Sequence, residues 1–147
     1  MSRITNTPVE IFEIVKESNL IVEVEFVKPF AEVVVVKGID PNPPFIKKGC
    51  EFKVINVLKN TGNITVPQTI LVPNENWRRS LSDYKNEYGD GPSKSYEVKY
   101  YETDVPSFKK AQILFLHQFQ NTFELEVKGA FESKEALDKV TILIASE

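Results

Sequence analysis

Hydrophobic positions along the chain change period several times, and each change marks an element. Val9, Ile11, Phe12, Ile14 and Val15 recur at roughly helical spacing. Ahead of them, Thr7-Pro8-Val9-Glu10 offers a capping Thr, a Pro at the first helical position and a Glu three residues after the cap. This pattern predicts a helix over 8–18. From Leu20 the period drops to two: Leu20, Val22, Val24 and Phe26 share one side while Glu23 and Glu25 take the other, as in a half-buried strand. "AEVVVVK" is apolar on both sides and rich in β-branched residues, which predicts a central strand. "GIDPNPPFIKKG" packs its prolines where a strand would need ladder donors, so it reads as a loop. "CEFKVINVLKN" predicts the next strand, "NTGN" its turn, and "ITVPQTILV" a strand that Pro67 interrupts or confines to an edge.

In the second half Trp77, Leu81, Tyr84 and Tyr88 fall at i, i+4, i+7 and i+11, with Gly89 where a helix would end in a left-handed residue. A helix is expected there. "SYEVKYYE" alternates as a strand, "QILFLHQF" and "TFELEV" read as a hairpin around Gln120-Asn121, and Ser133 caps a last helix carrying Ala136, Leu137 and Val140. Strands joined mostly by turns favour an antiparallel sheet over a parallel one. The expected fold is mainly β (α+β by content): a single domain, 1–147, built as a small antiparallel barrel with an N-terminal, an inserted and a C-terminal helix. A mixed α+β sandwich is the competitor.

Three segments, "ESNLIVEVEFV", "EFKVINVLKN" and "KKAQILFLHQF", together resemble OB-like barrel domains of the kind found in netrin, in tissue inhibitors of metalloproteinases and in many bacterial proteins. The resemblance implies an OB-like barrel that binds other macromolecules through its loops or a barrel face. Metalloproteinase inhibition in that family depends on an N-terminal cysteine and disulfides. This chain begins Met1-Ser2-Arg3 and has only Cys50, so that mechanism does not carry over.

Composition narrows the picture. A chain of 147 residues buries roughly 70% of the surface its unfolded form exposes. Its 41% hydrophobic and 27% charged residues are those of a folded globular protein. The net charge of −3 argues against a general phosphate-backbone binder, which needs clustered Lys and Arg. A single cysteine forms no internal disulfide, as expected of a cytoplasmic protein. The N-terminal segment lacks a signal-like apolar core, and no apolar run approaches a membrane span.

Candidate chemistry is sparse. His117 is the one group that titrates near neutrality unperturbed, and alternation places it with Ile113, Phe115 and Phe119, which reads as a structural histidine. Cys50 alternates with Phe52 and Val54, which turns its thiol inward as a small hydrophobe, although Lys47 and Lys48 lie close. Glu23 with Glu25, and Glu124 with Glu126, project from common strand faces and read as solvent-facing pairs. One His and one Cys do not make a zinc site, no glycine loop cradles a phosphate, and no cofactor is expected.

The aromatic residues are divided. The single tryptophan and all five tyrosines lie between 77 and 101, where none of the ten phenylalanines occurs. Tyr and Trp suit surfaces that are alternately wet and covered, because each joins a large ring to a polar atom. Trp77, Arg78, Arg79, Tyr84, Tyr88, Tyr96, Tyr100 and Tyr101 are therefore the expected partner-binding residues, with Phe building the interior. Trp77 and Leu81 could equally dock the helix on the barrel, and adjacent Tyr100 and Tyr101 point to opposite faces. The expected function is a non-catalytic module that binds a protein partner, of the cytosolic inhibitor or immunity type, through 77–101 and the Pro-rich loop at 39–49. The alternatives are an OB-type oligonucleotide or oligosaccharide binder and, third, an enzyme using His117 or a carboxylate pair.

Overall fold

The protein was analysed as a computed structural model, which describes residues 5–34, 45–73, 92–101, 106–119, 122–127 and 129–147. Its centre is an antiparallel sheet in the order β4-β3-β2-β6-β7, with β8 paired to β6. The strands are β2 (Leu20–Val34), β3 (Phe45–Asn60), β4 (Thr69–Pro73), β6 (Ile113–Phe119), β7 (Thr122–Leu125) and β8 (Phe131–Glu132). A separate parallel pair joins β1 (Thr5–Pro8) to β5 (Pro92–Ser95). Two helices, α1 (Ile11–Glu17) and α2 (Leu137–Ala145), contact each other.

The alternation read from Leu20 onward holds only in part, because Ile21 is fully buried and Glu23 half-buried on the face expected to meet solvent. Leu20, Val22 and Val24 are buried, Phe26 is half-buried and Glu25 is exposed. The ladder between β2 and β3 shifts register at Ile21/Val22, Glu23/Val24 and Phe26/Lys28. Each irregularity adds local twist, and three in one pair of strands bend the sheet strongly. The edge strands β4 and β7 consequently approach each other, yet no ladder joins them among the described residues. The sheet curls without closing into a barrel.

Curling gives β6 two buried faces, and Ile113, Leu114, Phe115 and Leu116 are all fully buried. On one face Leu114 pairs with Val22 and Phe131, beside a run of phenyl rings. Phe26 meets Phe52 edge-on at 6.2 Å, Phe52 meets Phe108 at 5.2 Å, and Phe108 meets Phe131 at 5.5 Å. On the other face Ile21 pairs with Lys59 and Phe115, beneath α1. Buried Lys59 donates through Nζ to the Val15 and Lys16 carbonyls at 2.7 and 3.2 Å, closing the last turn of α1, and pairs with Glu147 at 2.8 Å. A lysine in an apolar layer is tolerated because every direction its ammonium points holds an acceptor.

Several expectations change. The helix predicted over 8–18 begins at Ile11: Thr7 and Pro8 end β1, and Glu10 is the N-cap without a side-chain cap bond. Of "AEVVVVK", 31–34 are no separate central strand, since β2 runs unbroken through Pro29 to Val34 and Ala31 and Glu32 are exposed; 35–37 lie outside the described residues. The loop read at 38–49 is strand from Phe45 onward. "SYEVKYYE" leaves the strand after Ser95, and Tyr96, Lys99 and Tyr100 bond to the buried side chain of Glu132. The edge placement of "TILVP" after Pro67, the hairpin of β6 and β7, and the Ser133 cap all hold; Ser133 Oγ accepts from the Glu135 amide, leading a short 3-10 turn into α2.

Candidate functional site

The aromatic segment is placed in part. Trp77, Arg78, Arg79, Tyr84 and Tyr88 lie outside the described residues, as does the helix expected to carry them. Tyr96 is a core residue: it is 3% exposed, its ring lies 5.8 Å from that of Phe115, and its hydroxyl donates to Glu132 Oε2 at 2.6 Å. Its assignment to a partner surface is thereby corrected. The physical reason is that a buried carboxylate satisfies the hydroxyl, so the polar tip needs no water. Burial, and then the bond to Glu132, hold the phenol well above its usual pKa. Fully buried Glu132 also accepts the Lys99 and Tyr100 amides at 2.8 and 3.2 Å, and the Ser133 hydroxyl donates to the Tyr100 carbonyl. Tyr100 is half-buried against the core and Tyr101 is 41% exposed, which matches the expectation that only one of the two faces inward. The matching expectation that Phe builds the interior fails at Phe12, which is 57% exposed on α1.

His117 does have carboxylate partners, and they come from the paired strand. In the β6–β7 register His117 faces Glu124. Its Nε2 lies 3.5 Å from Glu124 Oε1 and its Nδ1 lies 3.2 Å from Glu126 Oε2. The pair Glu124/Glu126 is not solvent-facing: Glu124 is fully buried and Glu126 half-buried. Hydrogen bonding to Glu124, then to Glu126, raises the imidazole to a pKa of about 9 against the opposing effect of burial. The ring is an imidazolium near neutrality, with no lone pair to act as a general base. It offsets the charge of buried Glu124 and of half-buried Glu126. Among the described residues no group of three His, Cys, Asp or Glu side chains is arranged to hold a metal ion.

A cleft of about 580 Å³ opens where the far end of the β2–β3 ribbon faces the 3-10 turn at Phe108–Lys110. Pro29, Phe30 and Ala31 pair with Cys50, Gly49 and Lys48 to form one wall, and Ser107, Phe108 and Lys109 form the other. Its volume lies within the range of ligand sites. Gly49 makes this corner possible: a Cβ there would fall on the Val72 carbonyl and Pro73 Cα of β4 and strike the Phe30 ring. Cys50 is buried at 2% exposure, as alternation predicted, and desolvation pushes its thiol up while Lys109 pulls it down. Lys48 and Lys109 are both exposed at the rim. Of this site the sequence reading anticipated Lys48 and Gly49, as the end of the proposed docking loop at 39–49, and Cys50 as a buried thiol. The wall at Ser107–Lys109 escaped it, although Pro106-Ser107 ahead of Phe108-Lys109-Lys110 is a turn signal followed by one apolar anchor and two cations.

No protein-family model matches the sequence, and no curated protein matches it either.

Proposed function

We propose that the protein is a non-catalytic binding module that docks a protein partner, and that the cleft between the β2–β3 ribbon and Ser107–Lys109 is part of its contact surface. The single observation that supports this reading is the cleft itself: apolar at its floor, cationic at its rim, and open to solvent beside one end of the sheet. Interfaces are built on such centres, in which large side chains lose water while charges remain at the edge. Exposed Tyr101, together with Trp77, Arg78, Arg79, Tyr84 and Tyr88, remains part of the proposed contact set. We further read the curled sheet as an OB-like barrel in design, and the module as a cytoplasmic inhibitor or immunity-type protein. No helix among the described residues is long and apolar enough to cross a membrane.

The test is site-specific photo-crosslinking from position 101 and from position 77 in cells. A discrete protein adduct at both positions, lost when Tyr88 and Arg78 are replaced by Ala, is the expected result. The reading is abandoned if substitutions at Trp77, Arg78, Tyr88 and Tyr101 leave every captured protein bound as before. Titration with a fluorescent single-stranded oligonucleotide separates the competing reading, since single-strand binding weakens steeply with salt.

A further inference from the structure

Building on the protein-binding reading, we infer that the cleft takes an acidic segment of the partner, with carboxylates meeting Lys48 and Lys109 and an adjacent apolar side chain lying on Phe30 and Phe108. Both charged residues lining the cleft are lysines, while the chain as a whole carries a net charge of −3. The positive patch is therefore local and opposed to the overall charge, which makes it a feature of this site and not of a basic protein. Lys110, next in sequence to Lys109, is exposed as well.

The occupant follows from what each part of the cleft would lose on contact. A wholly apolar segment would cover the lysine rim and strip hydration from two ammonium groups without replacing it. A nucleic acid would meet too few cations on an acidic protein to displace many counterions. A peptide with alternating acidic and apolar side chains satisfies both parts: its carboxylates replace the water of the ammonium groups, and its apolar side chain covers Phe30, Pro29 and Phe108.

The experiment selects binders from a displayed random dodecapeptide library against the intact chain, then measures synthetic versions by fluorescence anisotropy. Enriched peptides are expected to carry Asp or Glu next to an aliphatic or aromatic residue. Affinity should fall at least about tenfold in the Lys48→Glu/Lys109→Glu variant and persist in Lys48→Arg/Lys109→Arg, a change of about 1.4 kcal/mol in binding. Both variants alter exposed side chains, and unchanged thermal unfolding would show that the fold is intact. Enriched peptides that lack acidic residues, or that bind the charge-reversed variant equally well, overturn the acidic-segment proposal while leaving the module reading in place. Failure to enrich any peptide overturns it too, and only captured proteins that stay bound after substitution at Trp77, Arg78, Tyr88 and Tyr101 would remove the broader reading as well.

Discussion

A buried carboxylate decides much at the level of single residues. Glu132 has no solvent contact and is held by one hydroxyl and two amides, all of them in 96–100. Removing a donor leaves part of its charge desolvated without compensation, which is why Tyr96→Phe should destabilise the fold by about 1.5–3 kcal/mol although it deletes a single oxygen. Urea unfolding of the variant checks this, and a loss below about 0.5 kcal/mol would mean that water reaches Glu132. His117 provides the second residue-scale prediction. Its folded pKa of about 9 exceeds the usual value near 6.5, so folding binds the proton more tightly than the unfolded chain does. Its stabilisation is complete below about pH 6.5 and is lost as pH rises through 9. The chain has a single histidine, so one imidazole resonance followed by NMR reports the titration without assignment, and His117→Gln should flatten the decline in unfolding midpoint across that window.

Elements succeed or fail according to what lies across from them. Gly129 has φ +79 and its missing Cβ would land on the Tyr96 carbonyl, so it joins a left-handed turn to a close approach. Gly129→Ala should cost about 1–3 kcal/mol and, because the strained site abuts residue 96, should also loosen the Tyr96–Glu132 bond. Near-ultraviolet circular dichroism of the tyrosines alongside thermal melting would register both effects. The same dependence explains which elements were legible. β2, β3, β6 and β7 were readable because alternating or continuous apolar runs report their own burial. The strand character of 45–49 was hidden by prolines that precede it, and the start of α1 by a capping pattern that β1 uses instead. Residues 96–101 alternate like a strand but are claimed by Glu132, a partner more than thirty positions away that no local pattern reveals. The candidate cleft was only partly visible for the same reason, since its two walls lie more than fifty positions apart in the chain. The aromatic division was a sound clue to polarity and a poor one to exposure: a hydroxyl goes inside when a carboxylate waits for it, as at Tyr96.

Across the whole molecule, stability is distributed unevenly along the sheet. β6 is paired with β2, β7 and β8 and buried on both faces, so its amides open only when the fold as a whole opens. The far end of the β2–β3 ribbon is different. Beyond Val24, whose amide donates to the Gln112 carbonyl at 2.8 Å, β6 no longer accompanies β2, and Lys28, Pro29, Ala31 and Glu32 are exposed. Few apolar contacts oppose its separation, so it should open at a fraction of the global cost. Native-state hydrogen exchange is expected to show 113–116 exchanging at the rate set by global unfolding, and the amides of Lys28, Phe30, Ala31 and Glu32 exchanging by local opening that is faster by about two orders of magnitude or more, a gap of about 3 kcal/mol. If the ribbon amides instead exchange as slowly as those of β6, the cleft is walled by a rigid element and a partner meets a preformed surface. If they exchange faster, as the packing implies, binding in the cleft must order the ribbon. An acidic peptide that occupies it would then slow exchange at Lys28, Phe30, Ala31 and Glu32 selectively while leaving 113–116 unchanged.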